Sequence, residues 1–320
     1  MHRLAALALF LLLCPLAAAQ DRVVFATDWL AQAEHGGFYQ ALAEGIYKKH
    51  GLDVTIKMGG PQVNGLQLLA ADRIDVAMAD GLQVLSAVEQ EVPLVAVAAT
   101  FQKNPTVVIS HPGVAKLADL KGKPIAIGAA SNTTFWPWLK QKYGFSDDQK
   151  RPYGFSVQPF LADPNLSQQG FATSEPFSIE KAGVVPAVFL LADLGYPPYA
   201  EVLVVKRDAL ARRRDVLRRF ALASAEGWKS YLANPAPGNA LIKKDNPQMG
   251  DDLLAYGVRK MREHAIVEGG DAKAAGLLTM TDARWNATVA FLRSAGLAKP
   301  GTDYAKAWTV DVVKDVRVTP

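Results

Sequence analysis

Apolar and polar residues follow two alternating periods through the first two thirds of the chain. Residues 23–27, VVFAT, form a short apolar run of the kind a buried strand presents. Phe38, Ala41, Leu42, Gly45 and Ile46 then recur at i, i+3, i+4, i+7 and i+8, which marks one face of a helix, and Gly51 stops it. Leu52, Val54 and Ile56 alternate as a strand. Helical spacing returns over 65–71 and 82–90, with strands predicted at 74–78 and 94–100. Such βαβα repetition predicts a mainly parallel sheet with helices on both faces.

After QKNP (102–105) the pattern restarts. It predicts an extended run at 106–110, a helix and turn in LADLKGK, a strand at 125–128, a helix at 135–143, a strand near 155–160, a helix from Glu175 and a strand at 187–191. GYPPYAEVLVVKRDAL then supplies a rigid turn and another long extended run. From Asp215 onward the spacing is helical: Leu217, Phe220, Ala221, Ser224, Trp228 and Tyr231 line one face, and further helices are predicted over 253–264 and 282–295. A helical tail with no sheet of its own packs on the first unit. The expected architecture is α/β with two lobes, 20–105 plus 206–320 and 106–205, crossing near 105–110 and 202–206. Two extended crossovers make a hinged clamp, and its cleft lies at the carboxyl ends of the strands, where open α/β sheets bind ligands.

The first residues change the compartment rather than the fold. MHRLAALALFLLLCPLAAAQ has one early Arg, an apolar stretch over 4–13 and small residues at 17–19, which reads as a secretory signal peptide (1–19) cleaved after Ala19. The apolar stretch is shorter than the roughly 20 residues a spanning helix needs. Cys14, the single cysteine, follows Leu13 where a lipid-attachment motif wants a small residue, so simple cleavage and, in a bacterium, a periplasmic protein are expected. The mature chain then carries no thiolate and no disulfide. With 35 Lys and Arg against 31 Asp and Glu, the charge is too small to argue for nucleic acid.

The candidate chemistry gathers on loops at the cleft edge. Asp28 and Trp29 follow the first predicted strand, and Glu34 and His35 precede the first helix. A stacking face beside carboxylate and imidazole groups suits a flat, nitrogen-containing ring. The ordinary alternatives are a loop-capping Asp28 and a core Trp29. Tyr39 lies off the buried stripe and is a further candidate. Asp80, in MADG, either meets ligand or caps the next helix. In the second unit, IGAASNTTFWPW offers backbone N–H groups and the polar side chains of Ser131, Asn132 and Thr133. Phe135, Trp136 and Trp138 do not all fit the core of so short a helix, so one faces the cleft, with Trp136 the candidate. Glu175 stands at a helix start opened by Pro176, where a carboxylate is stabilised. Tyr196 and Tyr199 flank the stiff GYPPY turn; structural use is the more ordinary role, and Tyr196 is kept as a contact. Arg212, Arg213 and Arg214 with Arg218 and Arg219 form a solvated face or a surface for an acidic partner.

The catalytic inventory is thin. Past the leader the histidines are His35, His50, His111 and His264, and there is no HExxH, GxSxG, GxxxxGK[ST] or GxGxxG pattern. No catalytic residue, metal or cofactor is expected.

With these residues laid out, the sequence resembles the periplasmic solute-binding proteins of ABC importers, over almost all of the mature chain. The branch is the one shared by thiamine-pyrimidine (formylaminopyrimidine) binders, by sulfonate, taurine and nitrate binders, and by fungal hydroxymethylpyrimidine synthases. DWLAQAEHGGFYQALAEGIYKKHGLDVTI, LADLKGKPIAIG, TSEPFSIEKAG and GYPPYAEVLVV carry it. Pyrimidine-binding members carry Asp-Trp, then Asn-Thr-Asn-His and a Tyr. Asp28, Trp29, His35 and Tyr39 stand at those places here, while Gln32, Ala33 and Glu34 replace the Asn-Thr-Asn. The resemblance implies a two-lobed type II binding-protein fold and roles for Trp29 in stacking and for Glu34 and Glu175 in holding ring and amino nitrogens. It also implies a non-enzymatic monomer that passes a thiamine-precursor pyrimidine to an inner-membrane ABC permease. The rivals are an alkanesulfonate, taurine or nitrate ligand, which the acidic residues oppose, and a pyrimidine-processing enzyme. The synthase branch uses a cysteine-rich segment with iron, and no such segment occurs here.

Overall fold

The computed structural model describes residues 20–320, so the expected leader and Cys14 lie outside the described residues. Two five-stranded sheets organise the chain. The first contains β1 (Asp21–Ala26), β2 (Leu52–Lys57), β3 (Val76–Ala79), β4 (Leu94–Phe101) and β10 (Ala200–Lys206) in the order β2-β1-β3-β10-β4. The second contains β5 (Thr106–Ser110), β6 (Ile125–Ile127), β7 (Lys150–Pro152), β8 (Ser167–Phe171) and β9 (Ala187–Leu190) in the order β7-β6-β8-β5-β9. Both are parallel apart from one strand in the fourth place: β10 runs antiparallel to β3 and β4, and β5 antiparallel to β8 and β9. Each odd strand is the one entered directly from the other sheet. A chain crossing at the cleft enters where the parallel strands end, so it must run back against them.

This placement corrects one expected boundary. The spacing places a crossover at 202–206 and closes the second lobe at 205, but β10 lies inside the first sheet, and the return crossing occupies 191–199. Val202, Leu203, Val204 and Val205 are all buried there, which a strand exposed between lobes could not achieve. A second correction concerns 155–160. Phe155 has φ +57 and is 54% exposed, and a helix, Gln158–Ala162, follows with Pro159 in its first turn. Proline pre-set for a helix start outweighs the short apolar alternation that suggested a strand.

The C-terminal helices pack on the first lobe. Helix Arg214–Ala233 buries the predicted stripe, including Phe220, Trp228 and Tyr231. It lies close against helix Gly36–Ala43, because Gly37 and Gly227 leave no side chain between them: a Cβ on Gly227 would stand 2.3 Å from the Gly37 carbonyl. Close helix contact there anchors the loop that precedes Gly36. The arginine cluster is engaged within the chain, Arg213 with Asp75, Arg214 with Asp311, Arg218 with Asp315 and Arg219 with Asp21 and Asp215. It ties the long helix to the sheet edge and the tail. No helix among the described residues is long and apolar enough to cross a membrane.

The lobes touch across the cleft. The Thr173 hydroxyl donates to Glu34, Phe177 packs against Tyr256 with centroids 5.2 Å apart, Lys181 pairs with Asp252 at 2.7 Å, and Gln141 bonds Ser294 at 3.1 Å.

Candidate ligand site in the cleft

The loop after β1 is pinned before it reaches the cleft. Thr27 Oγ1 donates to the Trp29 carbonyl at 2.7 Å and accepts from the Gly59 amide at 3.0 Å. A side chain at Gly59 would sit 2.3 Å from the Thr27 carbonyl, so the close approach requires glycine. Asp28 and Trp29 are thereby fixed at the carboxyl end of β1.

A 3-10 turn, Ala33–His35, then delivers Glu34 and His35 into buried positions. His35, 1% exposed, accepts the Gln32 amide on Nδ1 at 3.3 Å and bonds Asp28 Oδ1 through Nε2 at 3.1 Å. An Nδ1 that accepts places the proton of neutral imidazole on Nε2, so His35 donates to Asp28. Glu34 accepts the Thr173 hydroxyl from the opposite lobe, and burial pushes its carboxyl above the usual range.

Sequence reasoning missed the group that completes this cluster. Glu201, second residue of β10, is only 4% exposed and has φ +53, a left-handed conformation that a Glu rarely adopts. Its carboxyl shares a hydrogen bond with Asp28, while its Oε2 has no partner. Burial first, and then the Asp28 charge, hold Glu201 well above the ordinary carboxylate range. The one available signal was a lone Glu inside the apolar AEVLVV run.

Asp80 caps helix Gly81–Glu89, its Oδ1 accepting the Leu82 amide at 2.8 Å. Burial pushes its carboxyl up to about 6, and Asn104 of the first crossover approaches its Oδ2 at 3.5 Å. Asp80 therefore takes the capping role, and it stands near Asp28.

The second lobe contributes rings and a further acid. Phe155 lies against Trp29 with centroids 4.9 Å apart at 43°, and Tyr153 lies 5.2 Å from Phe155. Glu175 accepts the Tyr153 hydroxyl at 2.9 Å and the Phe171 amide at 2.8 Å. Burial raises its carboxyl as well, and Glu34 across the cleft adds to the shift. Its two oxygens are thus occupied locally, and it orients Tyr153. Ser131 is buried, donating to Gln169 Oε1 at 2.8 Å, and the same oxygen accepts the Gly128 amide at 2.6 Å. Asn132 and Thr133 are exposed and line the cleft cavity.

Three expected contacts lie elsewhere. Trp136, 1% exposed, donates its indole N–H to Asp147 at 2.8 Å, and Phe135 and Trp138 are buried too. The helix Phe135–Tyr143 carries all three rings into the core because Phe145 and Tyr196 pack around them. Tyr39 is buried, with its hydroxyl bonded to Asp245 at 2.8 Å on helix Ala236–Asp245. Tyr196 is buried between Trp138 and Phe291.

At the ends of β1 and β3 a cavity of about 890 Å³ opens between the lobes, lined by Asp28, Met78 and Ala79 on one side and Asn132, Thr133 and Thr134 on the other. Asp28, His35 and Glu201 present donor atoms within 4.8 Å of one another, a spacing that a cation can bridge. The Gln32 amide on Nδ1 instead makes His35 a hydrogen-bond donor to Asp28 here.

Two α/β lobes joined by two crossovers, with rings and acids on the facing strand ends, define the fold of two-lobed substrate-binding proteins. Among solved structures, the periplasmic aliphatic sulphonate binding protein SsuA from Escherichia coli aligns with a TM-score of 0.69 at 13% identity, covering 90% of this chain and 92% of that one. The chain belongs to the NMT1/THI5 like family, whose model matches residues 32–237. The riboflavin-binding protein RibY of Chloroflexus aurantiacus is 27% identical over 306 residues, 92% of this chain and 86% of that protein. The formylaminopyrimidine-binding protein of Halalkalibacterium halodurans is 24% identical over 242 residues, 71% and 73% of the two chains.

Proposed function

We propose that this protein is a periplasmic, non-enzymatic binding protein that captures a small heteroaromatic solute between its lobes and delivers it to an inner-membrane ABC permease. The observation that carries the reading is the meeting of Trp29 and Phe155 with the half-buried carboxyl of Asp28 and the buried carboxyls of Glu34 and Glu201 in one cleft. The two rings separate to admit a flat ligand, and the acids accept its amino and ring N–H groups. A ligand that bridges the lobes shifts the hinge equilibrium toward the closed form. The ligand we favour is a thiamine-precursor pyrimidine; the names of the formylaminopyrimidine and riboflavin binders support a ring of this donor-rich kind. An alkanesulfonate, taurine or nitrate meets carboxyls where it needs cations, and no Lys or Arg lines the cavity among the described residues. A pyrimidine-processing enzyme would need a nucleophile or a metal set, and His35 is committed to Asp28.

The test is a thermal-shift screen of residues 20–320 against aminopyrimidines, flavins, alkanesulfonates and nitrate, since a ligand selective for the folded state raises Tm by mass action. A shift with the heteroaromatic compounds that Trp29→Ala reduces is expected. A shift confined to sulfonates or nitrate overturns the ligand class, and turnover of a bound pyrimidine overturns the transport role.

A further inference from the structure

The two crossings between the lobes are bonded to one and the same side chain. Arg284 stands in the first turn of helix Asp282–Ser294, whose Trp285 stacks on Trp308 with centroids 5.3 Å apart, and Trp308 pairs with Ala96 of β4. The start of this helix therefore belongs to the first lobe. From there the Arg284 guanidinium donates to the Gln102 carbonyl of the first crossing, and to the carbonyls of Pro197, at 2.9 Å, and Pro198, at 3.5 Å, on the return crossing. It also lies over the Tyr199 ring, 4.2 Å from its centroid. The groups it binds are carbonyls rather than carboxylates, and burial pulls the guanidinium below its ordinary range. A planar fork of donors suits such a place, since it reaches acceptors on separate strands at once.

Around this point both crossings are fixed to the first lobe. The Gln102 and Lys103 amides donate to the Ile266 carbonyl at 2.7 and 3.1 Å, and the Tyr199 carbonyl accepts the Gly81 amide at 3.1 Å. The Tyr199 hydroxyl accepts the Thr281 amide at 3.0 Å and donates to Asp271 at 2.9 Å. Two residues later Glu201 takes its φ of +53, and Val202 is already paired with Ala79 and Ala99. A strained turn of this kind persists where the structure on both sides of it is held. We propose that Arg284 is the positioning residue of the hinge: it fastens both crossings to the first lobe, confines bending to residues 104–105 and 191–196, and through Tyr199 holds the turn that presents Glu201 to the cleft. The proposal rests on the hinged clamp of the reading above and not on its ligand, so it is tested without one.

Hydrogen exchange and interlobe distances of residues 20–320 supply the test. The amides of Gln102, Lys103, Gly81 and Thr281 report on the two fastened crossings. Because the single cysteine, Cys14, lies outside this segment, spin labels at Asp53→Cys in the first lobe and Val185→Cys in the second, both exposed, report on lobe separation. In Arg284→Met the four amides exchange at least about tenfold faster while those of β5 and β8 keep their rates, and the distance distribution broadens. Arg284→Lys, with the charge but not the fork, gives an intermediate result. Acceleration spread evenly over the chain, or wild-type exchange and distances in Arg284→Met, overturns the proposal. If Arg284→Met does not fold, wild type and Arg284→Lys decide: the four amides must exchange more slowly than those at 192–195 in wild type and lose part of that difference in the Lys variant. Absence of the difference in wild type, or its full retention in Arg284→Lys, overturns the proposal. Silence of every solute in the thermal-shift screen counts against the proposed function and leaves these ligand-free outcomes as they are.

Discussion

Replacing Glu201 with Gln removes a proton from the folding equilibrium. In the folded chain burial and Asp28 hold the Glu201 carboxyl well above its ordinary value of 4.5, so between that value and the raised one the folded state keeps a proton that the unfolded chain has released. The folded state then binds more protons than the unfolded one, and stability falls as pH rises above 4.5, until pH passes the folded value. Each pH unit in that window costs about 1.4 kcal/mol. Below 4.5 both states are protonated and the contribution disappears. A Gln at this position carries no titrating proton, and its amide still donates to Asp28. Urea unfolding of wild type and Glu201→Gln from pH 4 to pH 8 is therefore expected to give nearly equal stabilities at the acid end. The variant gains relative to wild type as pH rises above 4.5, by up to about 1.4 kcal/mol per pH unit. The titrations of Glu34, Asp80 and Glu175 are common to both proteins and cancel to first order. A stability gap that does not change with pH, or a variant less stable than wild type at pH 7, refutes the assignment of the proton.

Other outcomes follow from single contacts. Trp29→Ala, which removes the half-buried ring against Phe155, lowers affinity for an aminopyrimidine or flavin by about three- to tenfold, read by calorimetry, with little change in Tm. Gly37→Ala places a methyl 2.2 Å from the Trp228 ring and forces the two helices apart, a loss of about 1–3 kcal/mol in urea unfolding. Thr173→Val removes the hydroxyl that Glu34 accepts across the cleft, and small-angle scattering of the ligand-free variant shows a larger radius of gyration than wild type.

The elements that depend on local periodicity were legible. The helix Phe135–Tyr143 and the strands β4 and β5 fall where apolar spacing places them, and the loop from Asp28 to His35 was recognisable from its unusual density of polar and aromatic groups. What escaped depends on partners distant in sequence. The AEVLVVK run reads as a strand in isolation, but its place between β3 and β4 is set by pairing with residues about a hundred positions earlier. Glu201 escaped for the same reason: its neighbourhood with Asp28 exists only once β10 has crossed back. Tyr39 lies off the Phe38 stripe, a position that points to the cleft only if one side of the helix is covered, whereas helix Ala236–Asp245 covers that side as well. A helix buried on two faces breaks the assumption that one apolar stripe marks its whole core.

The distribution of the site between the lobes bears on how closing and selectivity are linked. Asp28, Glu34 and Glu201 come from the first lobe, while Phe155, Tyr153 and Thr173 come from the second. Bringing the lobes together takes carboxyls out of water, and an acid that loses water without gaining a donor is destabilised. Glu34 recovers one donor from Thr173, and Glu175 has its own in Tyr153 and Phe171, but Glu201 Oε2 has none in this structure. Under the proposed function, a solute that supplies N–H donors to this cluster offsets the cost of closing, and a solute of similar shape that lacks them does not. Differential stabilisation of the closed state is the quantity that shifts a two-state hinge. The same buried acids would then choose the ligand and set how firmly the clamp shuts on it, so weakening the cluster should loosen selectivity and closure together.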